Sequence, residues 1–166
     1  PGFQHSAQNF DVLLARSLSG NDTAQLFGTD GDDAFYSRGG VAVMSGTGIN
    51  FQLDSFETVI VSGQGGNDLV RFLGGAGADY LNARVDSAQF VSSGFVTHTT
   101  SFERLFANGG IDTNDVAILT DSVGNDHFAG VNNIGDLSGT GYFQRTTNFD
   151  TIRIRGVNGG INSRTL

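Results

Sequence analysis

SFETVIV, residues 55–61, recurs along the chain with little change: NFDVLLA at 9–15, SFERLFA at 101–107 and NFDTIRI at 148–154. Its aromatic residue falls at Phe10, Phe56, Phe102 and Phe149, in steps of 46, 46 and 47 residues. Three further sets keep the same interval: Gly2, Gly48, Gly94 and Gly141; Asp22, Asp68 and Asp115; Asp33, Asp79 and Asp126. Four registers that agree over the whole length make this a true repeat, and repeats of this size mean stacked units. The repeats run 1–46, 47–92 and 93–139, with a partial fourth over 140–166, and together they form a single repeat domain, 1–166.

Each repeat is made of short phrases such as TAQLF, VAVMS, LVRFLG and AQFVSS, rich in β-branched or aromatic residues and bounded by Gly, Asn, Asp or Ser. That is strand chemistry, and no window shows a capped 3.6-residue period. Ala24/Leu26, Val70/Phe72 and Ala117/Leu119 alternate with their neighbours and mark an inward side. The expected fold is all-β: a parallel β-solenoid of the right-handed β-helix or β-roll kind, with about seven coils from 46-residue double-coil repeats. At about 4.8 Å per coil the stack would be about 34 Å long. The four Phe residues would then form one internal ladder, two coils apart. The outward row Leu14, Ile60, Phe106 and Arg153 is mostly apolar, which suggests a covered face or a one-residue shift of parity. A β-sandwich of half-domains fits less well, because sandwiches take about 100 residues. Three and a half propeller blades would not close.

Composition narrows the function. The chain has 25 Gly and one Pro among its 166 residues; all nine basic residues are Arg, and 15 of the 17 acids are Asp. Asp, Asn and Gly are turn formers, whereas the missing Lys and rare Glu are helix formers. A net charge of −8 argues against nucleic acid, since little here could neutralise a run of phosphates. It suits cations or neutral glycans. No apolar run is long enough to insert in a membrane, and the absence of Cys excludes disulfides and thiolate metal sites.

The corners carry the candidate site. Gly–Asn–Asp phrases or their relatives occur in pairs 11 residues apart: Asp22/Asp33, Asp68/Asp79 and Asp115/Asp126. GGAGADYLN, residues 74–82, reads in full as the nonapeptide G-G-x-G-x-D-x-[apolar]-x. It resembles the haemolysin-type (RTX) glycine- and aspartate-rich repeats of bacterial extracellular proteins. That resemblance implies calcium as a cofactor, held by Asp68, Asp79, Asp33, Asp126, Asp22 and Asp115, with the Asp68–Asp79 segment first among them and Asp30, Asp32 and Asp33 next. The chain departs from the family in its spacing, 11 rather than nine, and in the 35 residues without the motif that follow each pair. The plainer reading is that Gly supplies positive φ while Asn and Asp close turns with their own backbone. It is the preferred one, because the next Asp rung would lie two coils away, about 9.6 Å, and calcium needs six to eight oxygens.

Nothing else in the chain suggests chemistry. His5, His98 and His127 occupy different registers, and no nucleophile elbow, S-x-x-K pair or phosphate loop is present. Asp112/Asp115 and Asp30/Asp32/Asp33 could pair as in a polysaccharide-active β-helix enzyme, but the repeat already explains them. The expected role is therefore non-enzymatic: an extracellular or cell-surface scaffold, secreted in the bacterial manner. As a segment of a surface adhesin, its partners would be glycans or the cell-surface matrix. As a self-stacking filament or matrix subunit, its partner would be itself, end to end or laterally. A calcium-dependent RTX-like module is the first alternative, and a polysaccharide-active enzyme the second.

Overall fold

The computed structural model describes Ala7, residues 10–157 and 159–165; Gly2 and His5 lie outside them. Among the described residues there are seventeen strands and no helix, hence no helix long and apolar enough to cross a membrane. The fold is the all-β parallel solenoid, of about four turns.

One repeat, taken from Val12 onward rather than from residue 1, shows how it is built. Two single strands, β1 (Val12–Arg16) and β2 (Thr23–Phe27), are followed by a meander of β3 (Ala34–Arg38), β4 (Val41–Gly46) and β5 (Ile49–Asp54). The second repeat gives β6 (Thr58–Ser62), β7 (Leu69–Leu73) and a meander of β8 (Tyr80–Ala83), β9 (Ser87–Ser92) and β10 (Phe95–Thr100). The third gives β11 (Arg104–Asn108), β12 (Val116–Thr120), β13 (His127–Val131), β14 (Ile134–Gly139) and β15 (Tyr142–Thr147). β16 (Thr151–Arg155) and β17 (Ser163–Thr165) begin the fourth.

The strands form two sheets. The ten-stranded sheet has the order β1-β5-β4-β3-β7-β11-β15-β14-β13-β17, and the seven-stranded sheet β16-β12-β8-β9-β10-β6-β2. Single strands pair in parallel with the neighbouring turn, as β3 with β7 and β7 with β11. The meanders are antiparallel and stay within one sheet. Their turns explain a register that the sequence left unassigned: Gly48, Gly94 and Gly141, at φ of 76°, 85° and 79°, each sit in the second hairpin turn of a meander. Ser93 and Gly94 both have positive φ, the two-residue turn whose twist matches the strands it joins. These folded-back strands widen the sheets without starting a new turn. The solenoid therefore has about four turns where about seven coils were expected.

The chain crosses between sheets three times per repeat, at β1–β2, β2–β3 and β5–β6 and their equivalents. Three is odd, so equivalent elements land on alternate sheets: the first and third meanders lie in the ten-stranded sheet, the second in the seven-stranded one. Phe10 and Phe102 thus enter one sheet, Phe56 and Phe149 the other, and the single internal Phe ladder does not exist. Phe102 and Phe149 are buried, at 6% and 4% exposure, whereas Phe10 is 59% exposed on an end turn. Leu14 and Ile60 do point outward, but on different sheets, so the apolar outward row is divided between two faces.

Between the sheets lies one core. Leu26, Val70, Phe72, Ala117 and Leu119 are buried, as their alternation predicts, together with Phe35, Met44, Leu81, Phe90, Leu105 and Leu137. The Phe72 and Phe90 rings stack at 4.9 Å, and Phe35 meets Phe102 at 6.4 Å. Each such side chain contributes about 2–3 kcal/mol by burial.

Candidate functional site: the acidic corners

An acid stands immediately before nearly every strand that starts after a sheet crossing, and backbone amides explain why. The Asp33 N–H donates to Asp68 Oδ1 at 2.8 Å, and the Asp68 N–H donates to Glu103 Oε2 at 2.7 Å. On the other sheet the Asp79 N–H donates to Asp115 Oδ1 at 2.7 Å, and the Asp115 N–H to Asp150 Oδ2 at 2.8 Å. Asp22 N–H to Glu57 Oε2 and Asp126 N–H to Asn162 Oδ1 complete the set, at 2.8 and 3.1 Å. Each partner lies 35 or 36 residues ahead and one parallel strand away. The result is a set of acidic columns along the corners. In each, the side chain on one strand satisfies an amide on the last, a group that would be costly to bury unpaired.

The six aspartates named from the sequence are all in these columns, but not as the pairs expected. Asp68 precedes β7 in the ten-stranded sheet and Asp79 precedes β8 in the seven-stranded sheet, so the favoured calcium segment is divided between two columns. The same holds for Asp22 with Asp33 and for Asp115 with Asp126. Nor is the next acidic rung two coils away: it is on the neighbouring strand, supplied by Asp68 for Asp33 and by Asp115 for Asp79, and for the other four by Glu57, Glu103 and Asp150 or, as an amide, by Asn162. Sequence reasoning missed these four because they sit in the SFE and NFD phrases or the terminal GIN, outside the Gly–Asn–Asp motif. The constant interval of 35 or 36 residues would have found them.

Gly before Asp is the other half of the corner. A side chain on Gly63 would fall inside contact distance of the Asp68 carboxylate and the Ser101 carbonyl. One on Gly74 would meet Asp79 and the Gly109 carbonyl. Bare backbone at these positions lets the carboxylate tuck under the crossing.

Burial makes three of the carboxylates unusual. Asp68, Asp79 and Asp115 are all at most 1% exposed. Asp68 Oδ2, Asp115 Oδ2 and both oxygens of Asp79 have no hydrogen-bond partner among the described residues. By contrast, Asp33 Oδ2 accepts from the Thr29 N–H, and Asp126 accepts from Ser122 and from the Tyr142 hydroxyl. Desolvation, reinforced by Glu103, Asp33 and Asp32, pushes the Asp68 carboxyl up from 3.8 to about 6, against the opposing Asp33 N–H. Burial also raises Asp79, with Asp115 and Asp112 adding charge. Ser92 and the Gly75 N–H oppose it from nearby, although that N–H donates to Ser92 Oγ instead. Asp115 is raised chiefly by burial as well.

Calcium asks for six to eight oxygens around one point. Among the described residues no three His, Cys, Asp or Glu side chains come together to hold a metal ion, and each column offers one acidic group per strand. The residues present fit an amide ladder better than an ion. Asp32 Oδ1 accepts the Asn67 N–H and Asp112 Oδ2 the Gly77 N–H, so the acids considered for catalysis also serve the backbone. His98 lies on the seven-stranded sheet, and His127, on the other, shares a 2.7 Å hydrogen bond with Ser163.

Comparison of the chain with protein-family models, with curated proteins and with solved structures returned no match.

Proposed function

We propose that the chain is a non-enzymatic extracellular scaffold, a β-solenoid segment of a surface adhesin or of a self-stacking filament or matrix. The observation that supports this most is the stacking itself: strands pair in parallel from turn to turn, and along the corners a side chain on one strand takes up an amide on the last. Each turn contacts only its neighbours, so such a stack is extended by more turns of the same kind. Among the described residues β1 and β2 form one end of this stack, and β16 and β17 the other. Apolar side chains are exposed beside them, including Val12, Leu14 and Phe27 at the first end and Ile154 and Ile161 at the second. At the second end a cavity of about 620 Å³ opens into the core between Phe128, Leu137 and Ile152.

A scaffold of this kind gains stability with each turn added, because interfaces between turns carry most of it. Two copies joined head to tail in one chain should melt as one unit at a higher temperature than a single copy. Independent melting at an unchanged temperature would count against the scaffold reading. Sedimentation at rising concentration separates its two forms: growing rods indicate a filament, a constant monomer an adhesin segment.

The second reading, a calcium-dependent RTX-like module, draws on the buried oxygens of Asp68, Asp79 and Asp115 that lack partners. A ligand of the native state raises stability by mass action. A melting temperature unmoved by millimolar calcium excludes it.

A further inference from the structure

The outer face of the ten-stranded sheet sets arginines and aromatic rings together in one row. Cross-strand register sets Tyr36, Arg71, Phe106 and Arg145 side by side on β3, β7, β11 and β15, four neighbouring parallel strands. The row is about 14 Å long at the usual strand spacing. The Arg71 guanidinium lies 5.4 Å from the centre of the Phe106 ring, and that of Arg145 lies 5.5 Å from Phe143. The two rings tilt against each other at 5.7 Å. Arg104, two residues before Phe106 on the same strand, is exposed and donates to the Asn67 carbonyl at 3.2 Å.

Over the outward positions of this sheet the arginines are 16, 38, 71, 104 and 145 and the acids are 54 and 136, an excess of three positive charges on a chain whose net charge is −8. Arg16 pairs with Asp54 and Arg145 with Asp136. Arg38, Arg71 and Arg104 have no acidic partner among the described residues. Guanidinium groups held over rings are pre-organised forks for carboxylates, and half-buried aromatic faces accept flat apolar surfaces.

We propose that this face binds an acidic polysaccharide, with uronate carboxylates on Arg71 and Arg104 and sugar rings against Phe106 and Phe143. A regular row of rungs suits a regular polymer. The strongly negative remainder of the chain disfavours a polyphosphate, whose charge density is higher and which few cations here could neutralise. The inference rests on the adhesin form of the proposed scaffold for where such a polymer would be met.

Calorimetric titration with polygalacturonate oligosaccharides tests it, with malto-oligosaccharides and a single-stranded oligodeoxynucleotide as comparisons. Saturable binding of the polyuronate, weakened by added salt, is expected. The Arg71→Gln/Arg104→Gln double variant should lose at least about tenfold in affinity, since each charged hydrogen bond is worth that much. Arg153→Gln/Arg155→Gln, on the seven-stranded sheet, should lose nothing. Thermal melts of both variants show that they are folded. Absence of polyuronate binding, equal binding of the neutral sugar, tighter binding of the oligonucleotide, or full affinity in the folded double variant would each overturn the proposal. None of these results would alter the melting of the tandem chain, so this inference and the scaffold reading fail separately.

Discussion

Replacing Asp68 by Asn should stabilise the protein at pH 8 and do little at pH 4. In the fold the Asp68 carboxyl is pushed up from 3.8 to about 6 by burial and by neighbouring acids. A group whose folded value is raised keeps its proton longer in the native state. The contribution of this group to stability is therefore full below about pH 4, falls as pH rises through about 6, and is gone above that. Across that span the linkage amounts to at most about 3 kcal/mol. Asn keeps an oxygen that can accept the Asp33 N–H and removes the charge. Urea unfolding of both proteins at pH 4 and pH 8 measures the effect. The Asp68→Asn variant should gain up to about 3 kcal/mol over the parent at pH 8 and about none at pH 4. An equal difference at the two pH values, or a larger benefit at pH 4, would refute the reasoning.

Other expectations follow from the same geometry. The parent itself should lose stability as pH rises from about 4 through about 6, the span set by Asp68, and burial raises Asp79 and Asp115 in the same direction; a pH series of thermal melts checks this. Glu103→Ala strips the Asp68 amide of its acceptor and should cost about 1–3 kcal/mol in denaturant unfolding. Glu103→Gln keeps an acceptor and removes a charge, so the Asp68 carboxyl should titrate lower by carbon-detected NMR. Gly63→Ala meets a carbonyl and a carboxylate that cannot both withdraw and should destabilise by about 2 kcal/mol or more. Phe102→Ala should cost about 3–5 kcal/mol, whereas Phe10→Ala, at the same place in its repeat but largely exposed, should stay within about 1 kcal/mol.

Much of this fold can be read from the residues, and what cannot has a physical reason. The strands are legible because Val70/Phe72 and Ala117/Leu119 alternate with outward neighbours, and the solenoid because the repeat is long and regular. The meanders are hidden because a two-residue turn such as Ser93–Gly94 looks like any other Gly-containing corner until its φ values are known. The alternation of sheets is harder still: whether a repeat makes an odd or even number of crossings is a property of the whole unit, and no local phrase records it. The acids were legible as corner residues, but their partners were not, since Glu57, Glu103 and Asp150 belong to a different phrase. The arginine–aromatic row needs the order of strands in the sheet, which brings Arg71 beside Phe106 across 35 residues of chain.

The alternation is the claim on which the columns, the core and the outer faces all depend, and a distance measurement tests it directly. Thr58 and Arg104 hold the same place in successive repeats, on β6 of one sheet and β11 of the other. The chain has no Cys, so spin labels at Cys introduced by Thr58→Cys and Arg104→Cys would be specific. Outward-pointing labels on opposite sheets should be about 20 Å or more apart by electron–electron double resonance, given sheets about 10 Å apart. A separation near 10 Å, about two strand spacings along one face, would contradict the account.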